Sequence, residues 1–157
     1  FNLRKMKITK TSLKGVELIK KYEGFRSKPY KCEAGVATIG YGATYYPNGV
    51  KVKLSDPAID EKHASLLLEA MLVPYEKAVD SFCRDDINQN QFDALVSFAY
   101  NLGNGALKGS TLLKKVNANP NNIAIKKEFQ KWVNAGGKRL QGLVNRRIEE
   151  SNLYFSK

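Results

Sequence analysis

The sequence predicts an α+β fold, in which a small N-terminal β lobe and a larger helical lobe are joined by a long helix, with a cleft between the lobes. Three observations predict it: an amphipathic helical stripe near the start, a glycine-punctuated region with β character, and a long helical remainder. With 157 residues and 43% hydrophobic content, the chain is expected to form one domain over 1–157.

The first predicted helix covers 12–23, because apolar side chains recur there at helical spacing. The stripe consists of Leu13, Val16, Ile19 and Tyr22. Ser12 is a residue type that begins helices, and Gly24 is a type that ends them. Glu23 is therefore expected at the C-terminal end, where the negative pole of the helix dipole favours a protonated carboxyl that suits a general acid.

The β lobe is expected over about 24–58, with short strands from about residue 30 to 54 and a hairpin turn at Asn48-Gly49. On the strand at 36–42, alternation groups side chains by face. One face carries Thr38, Gly40 and Gly42, and the other carries Ala37, Ile39 and Tyr41. A glycine-rich face permits close approach of a flat polar ligand such as a sugar, but bend or bulge glycines explain it equally well.

The inter-lobe helix is predicted over about 60–81, with a kink near Pro74, and the helical lobe over about 82–157. Further helices are expected at about 88–102, 110–118, 120–132 and 140–155. In the segment at 88–102 an apolar stripe predicts core packing. That stripe consists of Phe92, Leu95, Val96, Phe98 and Ala99.

Charge narrows the class of partner without selecting one. The chain has 26 Lys and Arg against 15 Asp and Glu, a net charge of +11, which attracts polyanions such as nucleic acid, anionic lipid or bacterial wall polymers. No nucleic-acid motif accompanies the basic residues, so no specific nucleic-acid partner is predicted. No apolar run has the length of a membrane span. The chain begins at Phe1 rather than Met, which leaves room for an upstream signal or anchor.

Cysteine and histidine usage excludes several enzyme classes. His63 is the only histidine, so an ordinary zinc site is not expected, and neither a metal nor a cofactor is predicted. No flanking motif supports a Cys-His peptidase built on His63 with Cys32 or Cys83. Two cysteines are too few for a disulfide scaffold, although pairing of Cys32 with Cys83 stays open.

Three separated motifs resemble the phage-type (T4-like) lysozymes, the endolysin family of glycoside hydrolases. They are EGFRSKPYKCEAGVATIGYG at 23–42, QNQFDALVSFAYNLG at 89–103 and GGKRLQGLVNRRIEE at 136–150. The family pattern is Glu, eight residues, Asp or Cys, five residues, Thr, and Glu23, Cys32 and Thr38 match it. The resemblance covers nearly the whole chain and implies a lysozyme-like fold.

The resemblance also implies site roles. Glu23 is expected to donate a proton, while Cys32 and Thr38 position the attacking water. Cys32 is expected to orient water more than to deprotonate it, and to make the protein sensitive to thiol oxidation and alkylation. Asn145-Arg146 matches a family pair whose arginine contacts the catalytic glutamate, so Arg147 is expected to face solvent. The remaining substrate-binding or supporting positions are Asn101, Gly40, Tyr41 and Gly42.

The activity implied is that of a monomeric lysozyme. It would hydrolyse, with inversion, the β-1,4 bond between N-acetylmuramic acid and N-acetylglucosamine in bacterial peptidoglycan and so lyse the host cell. It would be made in the host cytoplasm and act on the wall in the periplasm. Two alternatives stay open: a non-catalytic peptidoglycan-binding module, and a lytic transglycosylase, which leaves anhydro-sugar ends instead of reducing ends.

Overall fold

The computed structural model of the protein describes residues 7–157, which form a mixed fold of helices and two small sheets. Strand β1 pairs antiparallel with β2, and β3 with β4. The predicted α+β class is confirmed. In chain order the elements are α1 Leu13–Glu23, β1 Arg26–Lys31, β2 Ala37–Gly40, α2 Glu61–Phe82, α3 Gln89–Leu102, α4 Asn104–Lys108, α5 Thr111–Ala118, α6 Ile125–Gln130, β3 Asn134–Ala135, β4 Lys138–Arg139 and α7 Gln141–Phe155.

Most predicted helices are confirmed. The predictions at 12–23, 60–81, 88–102, 110–118 and 140–155 correspond to α1, α2, α3, α5 and α7. The first helix ends as expected, because Gly24 has φ +72° and donates its N–H to Lys20 O at 2.9 Å. Helix α2 continues through Pro74. The hairpin turn at Asn48-Gly49 is also present, with Gly49 at φ +86° donating to Tyr46 O at 2.8 Å.

The prediction of a helix over 120–132 was wrong at its start. Helix α6 begins only at Ile125, because asparagine side chains fold the preceding residues into turns. Asn119 Oδ1 accepts the N–H of Asn121 at 3.0 Å, and Asn122 Oδ1 accepts the N–H of Ala124 at 3.0 Å. Helix α4 and the β3–β4 hairpin were not predicted.

The chain divides into two compact units. The first unit joins Tyr75–Lys157 to the chain up to Leu18, and the second is Ile19–Pro74. Both boundaries fall within helices, one in α1 and one in α2. The single domain over 1–157 stays a prediction, and its residues 1–6 lie outside the described part. None of the helices within residues 7–157 has the length and apolarity of a membrane span.

The core of the first unit is built on α3, whose apolar stripe is buried as predicted. Asn88 caps this helix in a reciprocal capping box with Gln91. Aromatic rings from neighbouring elements pack around Phe98, whose ring centroid lies 5.8 Å from that of Phe129 and 5.5 Å from that of Trp132. Helix α3 makes its most extensive contact with α7, so these two helices form the frame of the unit.

The N-terminal residues of α1 rest on α3 at a buried carboxylate. Asp93 is fully buried and accepts the backbone N–H of Ser12 at 3.0 Å, as well as the Ser12 hydroxyl. Gln89 Nε2 also donates to Asp93, at 2.7 Å. A Cβ on Gly15 would lie 2.8 Å from Asp93 Cβ and 2.6 Å from Thr11 Cγ2, so the helices pack too closely here for any side chain.

We expect Gly15→Ala to lower the free energy of unfolding by about 1–3 kcal/mol, because the added methyl group cannot fit without moving Asp93. The matched control is Gly142→Ala in α7, where an added Cβ would meet no atom within 4 Å and should stabilise the protein by about 0.4–1 kcal/mol. Urea unfolding of both variants measures the difference. Equal midpoints for the two variants would contradict this packing.

Candidate active site

Glu23 is the last residue of α1, and its side chain is half-buried. The chain turns immediately after it, because Gly24 adopts a positive φ that ends the helix. Strand β1 then begins at Arg26, earlier than the expected residue 30. Glu23 therefore lies at the junction between a helix and the first strand, within the second unit.

Cys32 opens the loop that joins β1 to β2. Its N–H donates to Val36 O at 3.0 Å, and its carbonyl accepts the N–H of Gly35 at 2.8 Å, with Gly35 at φ +78°. This is the pattern of a three-residue hairpin loop with glycine in the left-handed position. The pKa of the Cys32 thiol is lowered, chiefly because the backbone N–H of Val36 donates a hydrogen bond to the sulfur. Partial desolvation opposes this effect and raises the pKa. Smaller lowering effects come from the N–H of Ala34 and the hydroxyl of Thr38.

Thr38 lies beside Cys32 on β2, opposite Tyr30 in the strand pair. Its side chain is only 3% exposed, and Oγ1 donates to Val36 O at 2.9 Å. A hydroxyl has one proton, so Thr38 donates either to this carbonyl or to the sulfur of Cys32 when the thiol ionises. The structure therefore brings Cys32 and Thr38 into one hydrogen-bonding group.

Tyr30 connects this pair with Glu23. Partial burial raises the pKa of the Tyr30 phenol, the charge of Arg26 lowers it, and negative charge on Glu23 and Cys32 raises it further. The Arg26 guanidinium stacks on the Tyr30 ring, 4.1 Å from its centroid. Both residues lie within the motif at 23–42, but the sequence analysis assigns neither a role.

The predicted supporting residues Gly40, Tyr41 and Gly42 form a tight turn after β2, which a mutual backbone hydrogen-bond pair between Ile39 and Ala43 closes at 2.9 Å. Gly40 has φ +66°, and a Cβ there would lie 3.2 Å from the Cβ of Ala64 in α2. The space beside Gly40 is thus filled by the protein itself. This arrangement favours the explanation that Gly40 is a bend glycine over close approach of a sugar.

Tyr41 also points into the protein. It is 7% exposed, and its hydroxyl donates to Glu61 Oε1 at 3.0 Å. Lys20 Nζ lies 3.3 Å from the same carboxylate oxygen and 5.4 Å from the centre of the Tyr41 ring. These contacts connect the turn to the start of α2, so the buried Tyr41 side chain stabilises the turn.

The other predicted site residues lie in the first unit. Asn101 is half-buried near the end of α3, and Arg146 is 3% exposed on α7. Arg146 Nη2 donates to Ser97 O at 3.2 Å, and its Nε lies 3.3 Å from Glu150 Oε2.

The expectation that Arg147 faces solvent was wrong, because its side chain is fully buried. Its Nη2 donates to Asn101 Oδ1 at 2.6 Å, and its Nε lies 2.7 Å from Glu150 Oε1. Internal acceptors on α3 and α7 therefore hold this guanidinium inside the first unit. The residue that sequence reasoning missed here is Glu150, whose spacing of three from Arg147 and four from Arg146 was the available signal.

The remaining titratable candidates do not form a second centre. His63 is exposed at the start of α2, and Cys32 and Cys83 are both free thiols. Among residues 7–157, no group of three or more His, Cys, Asp and Glu side chains is arranged to hold a metal ion.

The mixed helical fold matches known lysozyme structures and places the protein in the lysozyme-like class. A crystal structure of a P22 lysozyme mutant superposes with a TM-score of 0.84 at 36% identity, covering 95% of this chain and 100% of that one. The muramidase domain of SpmX from Asticaccaulis excentricus superposes with a TM-score of 0.82 at 32% identity, covering 96% and 100%.

Sequence comparison identifies the family. The phage lysozyme family model matches residues 20–150, and the chain is 44% identical over 144 residues to the endolysin of Bacillus phage B103. That alignment covers 90% of this chain and 52% of the endolysin, so the chain spans about half the length of this relative. The chain belongs to the phage lysozyme family.

The two cysteines should differ strongly in reactivity. Burial raises the pKa of the Cys83 thiol to about 12 and leaves it 8% exposed, whereas the pKa of Cys32 is lowered and its side chain is half-buried. At pH 8 we expect iodoacetamide to modify Cys32 at least about tenfold faster than Cys83, as measured by mass spectrometry. Urea-unfolded protein is the control, in which the two rates should converge. Equal rates in the folded protein would contradict these environments.

Proposed function

We propose that the protein is a lysozyme that hydrolyses, with inversion, the β-1,4 bond between N-acetylmuramic acid and N-acetylglucosamine in bacterial peptidoglycan. The observation that carries the proposal is that Glu23 ends α1 directly before the β1–β2 hairpin that carries Cys32 and Thr38, in a member of the phage lysozyme family. A muramidase domain among the structural relatives supports the same bond as the target.

In the proposed mechanism Glu23 acts as general acid. Its proton passes to the glycosidic oxygen as the bond from that oxygen to the anomeric carbon breaks, and the leaving sugar departs with a new hydroxyl. The position of Glu23 supports this role, because it is the half-buried last residue of α1, immediately before the β1–β2 hairpin that carries Cys32 and Thr38.

Water attacks the anomeric carbon from the opposite face, and Cys32 and Thr38 position it. The thiol or thiolate of Cys32 accepts a hydrogen bond from water, while the Thr38 hydroxyl exchanges between Val36 O and the site. As the new carbon–oxygen bond forms, the attacking water passes its proton to a neighbouring solvent molecule, while the sulfur of Cys32 and the Thr38 hydroxyl hold the oxygen in place. A weak base suffices where the transition state resembles an oxocarbenium ion.

The target and place of action complete the proposal. Peptidoglycan is carried in an anionic wall, and the net charge of +11 draws the protein toward it. We propose action as a monomer on the wall in the periplasm, after synthesis in the host cytoplasm. A lytic transglycosylase and a non-catalytic wall-binding module are the competing functions, and product analysis distinguishes all three.

We expect Glu23→Gln to lower the rate of wall lysis by about 10²–10⁴-fold, because the amide cannot donate the required proton. The matched control is Glu33→Gln, which makes the same charge change on an exposed residue of the adjacent loop and should keep the parent rate. Loss of turbidity of purified walls measures the rate, and the parent's products should carry reducing ends.

Lysis by Glu23→Gln at the parent rate would overturn the assignment of the acid. Anhydro-sugar ends in the parent's products would establish the transglycosylase instead. Wall binding without any product would establish the binding module.

Cys32→Asp tests the water-positioning role. Because a carboxylate accepts hydrogen bonds from water at least as well as sulfur, we expect the lytic activity of this variant to lie within about tenfold of the parent. Iodoacetamide should not lower that activity, since residue 32 no longer carries a thiol. Cys32→Ala removes the acceptor and should lose at least about 10²-fold. Rates are compared on the same wall preparation before and after alkylation. An active alanine variant would show that the sulfur does not position the water.

A further inference from the structure

A buried ionic cluster on α7 contains Arg147 and Glu150, to which no functional role has been assigned so far. Arg146, Arg147 and Glu150 are 3%, 0% and 0% exposed. Removing three charged groups from water costs several kcal/mol per ion, and a well-packed apolar substitute is often at least as stable. Stability alone is therefore a weak reason for this cluster.

Glu150 is the acceptor that the cluster shares. Its Oε2 accepts the Ser97 hydroxyl at 2.6 Å, while Arg146 Nε and Arg147 Nη2 each lie 3.3 Å from the same oxygen. Its Oε1 lies 2.7 Å from Arg147 Nε. One carboxylate thus fixes both guanidiniums against α3.

The shortest hydrogen bond of the Arg147 guanidinium goes outside the cluster, to Asn101 Oδ1 at 2.6 Å. Its Nη1 has no hydrogen-bond partner among the described residues, although it is buried. The guanidinium also lies over the Phe98 ring, 5.3 Å from its centroid. Arg147 is therefore oriented toward Asn101 even though two of its buried nitrogen atoms, Nη1 and Nε, make no hydrogen bond among the described residues.

This contact determines which way the Asn101 amide faces. A guanidinium has donors only, so the amide oxygen must point at Arg147 and the Nδ2 group must point away from it. Asn101 is half-buried near the C-terminal end of α3, so the residue is partly accessible to solvent. Without Arg147 the amide would be free to rotate and present oxygen or nitrogen.

We propose that Arg147, held by Glu150, is a positioning residue that locks the Asn101 amide with Nδ2 outward, so that this group donates to an acceptor oxygen of the glycan. The proposal rests on the proposed function and extends it to a residue that does not touch substrate. Its substrate class is the same N-acetylated polysaccharide, whose carbonyl and hydroxyl oxygens are the acceptors that an amide N–H can recognise.

A double-mutant cycle with Arg147→Lys and Asn101→Ala tests it. Lysine keeps the positive charge beside Glu150 but cannot hold the amide in the same fork geometry. We expect Arg147→Lys alone to lower kcat/KM on peptidoglycan by about tenfold. In the Asn101→Ala background the same substitution should lower kcat/KM by less than about twofold. A purely structural role predicts the same loss of kcat/KM in both backgrounds, and that result would overturn the proposal.

The matched control is Arg84→Lys. Arg84 is an exposed arginine of the same unit, and its substitution should leave kcat/KM on peptidoglycan unchanged.

Binding gives a readout independent of turnover. The same cycle, built into Glu23→Gln protein, is measured by sedimentation with purified peptidoglycan, and the affinity losses should again be non-additive. Should Arg147→Lys fail to fold, as judged by thermal unfolding, Arg147→Gln replaces it in the cycle. Additive losses in binding overturn the positioning role while leaving the proposed hydrolysis standing. Anhydro-sugar ends in the parent's products, by contrast, would refute the proposed hydrolysis without affecting the binding result.

Discussion

The buried carboxylate of Glu150 is the constraint on which the arrangement of the first unit depends. Burial raises the pKa of Glu150, and the guanidiniums of Arg147 and Arg146 oppose that rise. Rotating α7 about its axis would separate Glu150 from Ser97 and Arg147 from Asn101, and each of these hydrogen bonds to a charged group is worth about 1.5–3 kcal/mol. The cluster therefore fixes the face that α7 presents to α3, and with it the positions of Arg146 and Asn101.

The second unit positions its reactive groups by local hairpin geometry. The loop between β1 and β2 closes through the backbone of Cys32, so the sulfur lies where Val36 and Ala34 N–H groups reach it. Strand pairing then places Thr38 opposite Tyr30. Few long-range contacts are needed for this grouping, which explains why a short sequence motif could carry it. The proposed acid, Glu23, is the last residue of α1, and β1 begins at Arg26.

Elements with strong local signals were predictable. Helices α2, α3 and α7 have apolar periodicity, and the Asn48-Gly49 turn has its own residue chemistry. The start of α6 was not predictable. Asparagine side chains that bond to nearby backbone N–H groups prevent the helix from starting earlier, and the sequence does not show whether an asparagine makes such a bond. The β3–β4 hairpin is only two residues per strand, although its Gly136-Gly137 turn, with both φ values positive, was a visible signal.

The sequence by itself determined the α+β class, the position of Glu23 at a helix end, and the motif that groups it with Cys32 and Thr38, because these depend on contacts close along the chain. Tertiary structure alone decided that Gly40 packs on Ala64, that Arg147 is buried, and that Glu150 links Arg147 to the helix carrying Asn101. Burial of an arginine depends on acceptors that lie 46 and 3 residues away in sequence, and only folding brings those groups to one place.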